Sequence, residues 1–337
     1  MNRILHPTET FCGFALLRVS RVMAAAEALH MKSATADATR PTTEGFTIKP
    51  AFAPKTKAKL GFGTAPVSGT LSKRERLALL AAAYESGIRH FDTAPLYGWG
   101  TGEEVMGEFA RGRNAELTIV TKVGIEPPSF ASRALAKATQ STARPQIRRF
   151  ALNDVRRSVE TSLRKLMVDR LDALLLHEPE SEDVTPDLVS ELERMRAAGK
   201  VQAIGLAAAP ENTVGLLQRY PGVFTIVQIP LAGIEQVRPH AADALLITHS
   251  VLGRQIALAA ARLQGDRELA ERFKAETGAA SIDRGVIAET LLRAALARNI
   301  GGITLFSSSR IAAVRANAAL TPANECLQAQ IRAWFAD

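Results

Sequence analysis

The chain has 337 residues, of which 47% are apolar and only 5% aromatic, and a formal net charge of +8. Such a length supports one large domain with a core built mostly from Ala, Leu, Val and Ile. The positive charge does not read as a nucleic-acid surface, because Arg156, Arg157, Arg164, Lys165 and their like are scattered over helix faces with no interleaved aromatics. A modest preference for phosphorylated small molecules is the plainer account. Cys12 and Cys326 lie near opposite ends, and no CxxC or Cys/His cluster exists, so neither a zinc site nor a disulfide framework is expected. No run is apolar for long enough to span a bilayer, and the expected setting is cytoplasmic, with no membrane partner.

Residues 1–57 hold one candidate targeting segment, FCGFALLRVSRVMAAAEALH, whose apolar core is short and interrupted by Arg18 and Arg21. The following SATADATRPTTEG lacks periodicity. The expectation is a poorly ordered extension over 1–57, with Met31 a plausible beginning, and one domain over 58–337.

From Lys59 onward the chain alternates. KLGFG reads as a strand. SKRERLALLAAAYESG reads as a helix capped by Ser72 and ended by Gly87. IRHFDT is the next strand, and GEEVMGEFARG a helix with acidic residues in its first turn. LTIVTKV is a strand rich in β-branched residues. The stretch from Gly124 to Phe150 is irregular and basic, and lies where a lid over a substrate would be. A helix follows with Asn153 as its expected N-cap. LDALLLH, KVQAIGLA, GVFTIVQIP, DALLITHS and GGITLFSSS supply further strands, separated by helices, and SRIAAVRANAAL closes the pattern.

Strands that are apolar almost throughout indicate a parallel sheet buried on both faces. Strict alternation over this length favours a (β/α)8 TIM barrel over an open doubly wound sheet. An open dinucleotide-binding sheet would carry GxGxxG after its first strand, but that position reads GFGTAP, and the later GWGTGE fails as well.

In such a barrel the active site lies at the C-terminal ends of the strands. Asp92 ends the second strand, Tyr97 lies in the loop after it, Lys122 ends the third and His177 the fourth. A phenol with a pKa near ~10 is a poor acid–base group at neutral pH, and a nearby ammonium would lower that value. A carboxylate would keep the ammonium charged and oriented, and an imidazole could hydrogen-bond a substrate oxygen. Together these groups can protonate a carbonyl oxygen as hydride reaches its carbon. Any one of them alone reads more simply as structural. The loops after strands seven and eight are the usual barrel phosphate site. They offer Ser250, Leu252 and Gly253 in HSVLGR, and Ser307, Ser308, Ser309 and Arg310 in FSSSR, although those serines could equally cap the last helix.

The segments GFGT, FDTAPLYGWGTGEEVMGE, TKVG, SVETSLRKLMVDRLDALLLHEP and GKVQAIGLA resemble the aldo/keto reductase superfamily over about residues 57–320. The resemblance implies an enzyme that binds NADP or NAD across the barrel mouth. It implies Tyr97 as acid/base, tuned by Lys122 and Asp92, with His177 orienting the carbonyl. It also places Gln228 on the nicotinamide carboxamide, Gly63 and Thr64 beneath the nicotinamide side, His249 where an aromatic would stack, and Asn317 in the cofactor set. Trp99 is a candidate wall of the substrate pocket, with a packed loop anchor as the alternative.

Three positions depart from the family pattern. A Ser-Asn pair gives way to Ala207 and Ala208, the stacking aromatic to His249, and the Lys and Arg near the adenosine 2′-phosphate to Ser307 and Ala313, with Arg310 or Arg315 as substitutes. The expected function is NAD(P)-dependent interconversion of a small carbonyl compound (aldehyde, ketone or aldose) and its alcohol or lactone. The wording FDTAPLYG most resembles members that oxidise aldoses or related polyols. The alternative is a nucleotide-sensing or regulatory barrel with little turnover, motivated by the lost Ser-Asn pair. A metal-dependent hydrolase is disfavoured, because no HxH follows the first strand and Lys122 is a poor ligand for a divalent ion.

Overall fold

The computed structural model describes residues 52–55, 59–65, 71–127 and 147–323. Its strands are β1 (Leu60–Gly63), β2 (His90–Asp92), β3 (Thr118–Val123), β4 (Ile125–Glu126), β5 (Ile147–Arg148), β6 (Leu171–His177), β7 (Val201–Ala207), β8 (Ile226–Pro230), β9 (Leu245–His249) and β10 (Ile303–Phe306). A closed barrel runs in the order β1-β10-β9-β8-β7-β6-β3-β2, with parallel pairing throughout. This is the (β/α)8 architecture that the alternation implied. The remaining strands, β4 and β5, form a small antiparallel pair outside the barrel. They fall at the two ends of the stretch read as irregular. The rest of that expected lid, residues 128–146, lies outside the described residues, as do Cys12, Met31 and Cys326.

Among the described residues the α-helices of eight or more residues are α1 (Lys73–Glu85), α2 (Gly102–Ala110), α3 (Leu152–Leu166), α4 (Pro186–Ala197), α5 (Pro210–Arg219), α6 (Arg254–Gly265), α7 (Arg267–Thr277), α8 (Arg284–Arg298) and α9 (Ile311–Ala318). Ser72 caps α1 through a capping box with Glu75, as its spacing suggests. Asn153 is not a cap. α3 starts after Ala151, and Asn153 sits in its first turn. The start is fixed from outside the helix: Arg149 N–H donates to the Gly124 carbonyl at 2.8 Å, and a Cβ at Gly124 would meet the Phe150 ring at 2.2 Å. The strand pair therefore delivers the chain to the helix before Asn153 can act.

A period of two along each strand decides what faces the barrel axis. The innermost apolar cluster includes Val120, Ala173, Leu175, Ala203, Ala207, Ile226, Leu245, Ile247, Ile303 and Leu305. Stepping two residues from these toward each C-terminus reaches Lys122, His177, Gln228, His249 and Ser307. Buried Asp92 stands beside Gly63 in register, and below it on the same face lies His90. Gly61 makes room there, because a Cβ at that position would stand 2.7 Å from the His90 ring.

The opposite end is closed by residues assigned above to the extension. Phe52 joins the inner cluster and is buried. Lys55 donates its backbone N–H to Thr118 Oγ1 at 2.8 Å, and its ammonium to the carbonyls of Asn114 and Leu117 and to Asp172 Oδ1 at 2.9, 2.8 and 2.8 Å. Asp172 Oδ2 accepts from the Ile119 N–H at 2.9 Å, so that carboxylate ties the segment to β3. Residues 52–55 thus belong to the barrel.

Candidate active site

The loop after β2 is folded by left-handed residues. Gly98, Trp99 and Gly100 have φ of 64°, 56° and 90°. Two of the three are glycines, for which this conformation carries no steric cost. Thr101 Oγ1 donates to the Gly98 carbonyl at 2.7 Å, and Lys165 Nζ to the Gly100 carbonyl at 2.7 Å. A Cβ at Gly102 would come within 2.9 Å of the Tyr97 carbonyl oxygen. GWGTG is therefore a device that holds Tyr97 against the start of α2, not a phosphate loop.

Lys122 is 2% exposed and grips both oxygens of Asp92, at 2.8 and 2.7 Å. It also donates to the Thr93 carbonyl at 3.1 Å. Its ammonium lies 4.8 Å from the Tyr97 ring centroid. The His177 and Tyr97 rings meet edge to face, with centroids 6.1 Å apart and planes at 85°. The structure thus brings the four strand-end groups together. Thr64, directly after β1, supports them by donating its N–H and hydroxyl to the Asp92 carbonyl at 2.9 and 3.0 Å.

The electrostatics depart from the sequence reading in one respect. Lys122 does pull the Tyr97 phenol toward ionisation, but burial acts in the other direction and wins, so the pKa stands above its ordinary 10.0. Burial alone would discharge Lys122, yet Asp92 and Tyr97 raise its pKa and keep it an ammonium. Burial raises the Asp92 carboxyl, opposed by Lys122 and by a hydrogen bond from Gln228. His177 is lowered to about 3 by burial, with Lys122 and His249 adding to the effect, so its imidazole is neutral. His90 is likewise lowered to about 3, and His249 to about 4, by burial and Lys122.

Above the pair opens a cavity of about 660 Å³, within the range of small-molecule sites. Gly63, Asp92, Tyr97, Lys122, His177, Gln228, His249, Ser250, Leu252, Gly253 and Ser307 line it. Ala207 and Ala208 line it too, where they offer only backbone groups for hydrogen bonding. Ser307 spends its hydroxyl on the Gly63 carbonyl at 2.6 Å, closing β10 against β1. Ser308 Oγ accepts from the Arg310 N–H at 3.2 Å. The cap residue of α9 is Arg310, whose side chain makes no capping bond, so the serines do not cap that helix directly. Thr64, Ser308, Ser309, Arg310 and Asn317 lie outside the cavity lining, and Asn317 is buried in α9. Trp99 is half-buried and does not line the cavity either. Sequence reasoning missed Arg148, Glu178, Glu180 and Asn212, which do line it. Only Glu178 carried a signal, its adjacency to His177. Arg148 and Asn212 arrive through the β4–β5 pair and α5.

Among the described residues, buried polar atoms at this end without a partner include His177 Nδ1, Gln228 Oε1 and Thr93 Oγ1. Among the described residues no group of His, Cys, Asp and Glu is arranged to hold a metal, and no helix is long and apolar enough to cross a membrane.

The family model described as "Aldo/keto reductase family" matches residues 59–230, just over half of the chain. The chain belongs to the aldo/keto reductase family. That match includes Asp92, Tyr97, Lys122, His177 and Gln228, and ends at the last residue of β8. A D-threo-aldose 1-dehydrogenase from Pseudomonas sp is 36% identical over 162 residues, 44% of this chain and 49% of that protein. A pyridoxal 4-dehydrogenase from Microbacterium luteolum is 32% identical over 137 residues, 36% of this chain and 40% of that protein. The chain thus spans about half or less of the curated relatives it matches. An aldo-keto reductase from Bacillus halodurans has the same fold, with a TM-score of 0.64 at 18% identity, over 85% of this chain and 96% of that one.

Proposed function

We propose that this chain is an NAD(P)-dependent oxidoreductase. It interconverts a small aldehyde, ketone or aldose and the corresponding alcohol or lactone, with Tyr97 as acid/base. The observation that carries this reading is the buried Lys122–Asp92 pair, with its ammonium 4.8 Å from the Tyr97 ring centroid at the floor of the cavity. A structural ion pair has no need of a phenol on its open side.

The residues present fit a nicotinamide cofactor. Gln228 Oε1 is a buried acceptor without a donor, and a carboxamide N–H₂ would supply one. Gly63 keeps that side of the mouth open, since a Cβ there would press on Ser307 Oγ at 3.1 Å. His249 would stack where larger aromatics do so elsewhere in the family. Ser250, Leu252 and Gly253 line the mouth beyond it, and Ser307, Ser308, Ser309, Arg310 and Asn317 are assigned to the anionic side of the cofactor. When bound, the cofactor supplies or accepts the hydride.

The protein's own part is proton handling. With its pKa raised by burial, Tyr97 is protonated at neutral pH and donates to the carbonyl oxygen during reduction. Lys122 then stabilises the phenolate, and Asp92 keeps the lysine charged and in place. His177 Nδ1 is buried without a partner, and an orphaned acceptor is better tolerated than an orphaned donor. Its proton therefore belongs on Nε2, available to the substrate oxygen.

Fluorescence titration with NADPH and NADH tests cofactor binding, and a panel of aldehydes, ketones and aldoses tests turnover. Tyr97→Phe should keep cofactor binding and lose turnover by about 10²–10⁴-fold. Equal turnover by both proteins would remove Tyr97 from the mechanism.

A further inference from the structure

We infer that Glu178 determines specificity at this site, selecting neutral or cationic hydroxylated carbonyl compounds over carboxylated ones. The inference rests on the oxidoreductase reading and adds a substrate class to it. Glu178 directly follows His177 and lines the cavity. Its φ is +49°, a left-handed conformation that non-glycine residues rarely adopt. The turn is held by its own N–H, which donates to the Ala207 carbonyl at 2.7 Å, and by the buried Pro179 that follows. Such strain persists where surrounding structure over-determines it, and it gathers at functional sites.

The charges on the wall make Glu178 stand out. Lys122 and Asp92 neutralise each other. Arg148 faces both Glu180, at 3.9 Å, and Asp183. Glu180 also accepts from Asn212 Nδ2 at 2.7 Å. Among the described residues the Glu178 carboxylate has no ion pair and no hydrogen bond. The remaining ionisable groups of the wall, Tyr97, His177 and His249, are uncharged near neutrality. Among the described residues the uncompensated charge of the wall is therefore negative, and it is close enough to Tyr97 to oppose the phenolate.

A carboxylate in that position accepts charge-assisted hydrogen bonds from substrate hydroxyls. It repels a substrate carboxylate, which is discrimination by an unfavourable charge pair.

The test compares kcat/KM for reduction of glyceraldehyde and of glyoxylate at low ionic strength, with NADPH and NADH. In Glu178→Gln the preference for glyceraldehyde should fall by about tenfold, and rising salt should shrink the difference between variant and wild type. Glu178→Asp, which keeps the charge, should retain the preference. If the Gln variant does not fold, Glu178→Asn removes the same charge with a residue that the left-handed backbone favours. An unchanged ratio on loss of the charge overturns the role of Glu178 alone. No reduction of either aldehyde or of a wider carbonyl panel by the wild type overturns the oxidoreductase reading, and this inference with it.

Discussion

The two ends of the barrel solve the same problem in opposite ways. At the closed end the exposed Lys55 ammonium has two carbonyls and a carboxylate as partners, and Phe52 is buried within the innermost apolar cluster. At the open end His177 Nδ1 and Gln228 Oε1 lack partners, Lys122 and Asp92 are buried beside a phenol, and Trp99, Glu178 and Ser250 have positive φ. Unsatisfied polar atoms and strained backbone cost stability. The closed end has some of both, at Asn114 Oδ1 and Met167, but three of the four non-glycine residues with positive φ among the described residues stand at the open end, around the cavity.

Substitutions at the two ends should separate these roles. Lys122→Met should have the largest effect, because it leaves Asp92 as an uncompensated buried carboxylate. A loss of about 3–5 kcal/mol in denaturant-derived stability is expected, together with the loss of turnover. Phe52→Ala, by contrast, should cost about 3 kcal/mol or more in stability with cofactor affinity preserved in the folded fraction. If it instead altered affinity at constant stability, the division between the ends would fail.

Acid should act through the open end and the layer below it. His90 and His177 have folded pKa values of about 3 against an ordinary 6.5. The unfolded chain therefore binds protons that the folded chain refuses, and stability falls as pH drops from about 6.5 toward 3. By pH 5 each histidine should contribute a loss of about 2 kcal/mol. Urea melts across this range check the slope, and His177→Gln should flatten it by one group's share. A slope unchanged in that variant would mean His177 is protonated in the folded state. The smallest stability change belongs to Tyr97→Phe, which deletes one hydroxyl and should shift stability by no more than about 1.5 kcal/mol while removing turnover. A much larger shift would make Tyr97 part of the scaffold.

Much of this was legible in the chain itself. Apolar runs of strand length, broken by capped helices, specified the barrel, because a parallel sheet covered on both faces needs little polar patterning. Period two along the strands then carried Asp92, Lys122, His177 and Gln228 to one rim. The start of α3 was less legible, because an Asn in a first turn looks like a cap until the Gly124–Phe150 contact fixes the chain ahead of it. The role of residues 52–55 was hidden as well, since a single Phe and a single Lys carry no periodicity.

The sequence by itself determined the strand order, the four proton-handling side chains and the glycines that fold the Tyr97 loop, because these depend on local spacing and backbone freedom. Only the tertiary structure decided the protonation of Tyr97, since burial and the Lys122 ammonium oppose each other and their balance depends on the surrounding walls. It also decided which charges of the cavity wall are compensated. Arg148, Glu180 and Asn212 come from separate segments and meet only when the barrel closes, which leaves Glu178 as the charge without a partner among the described residues.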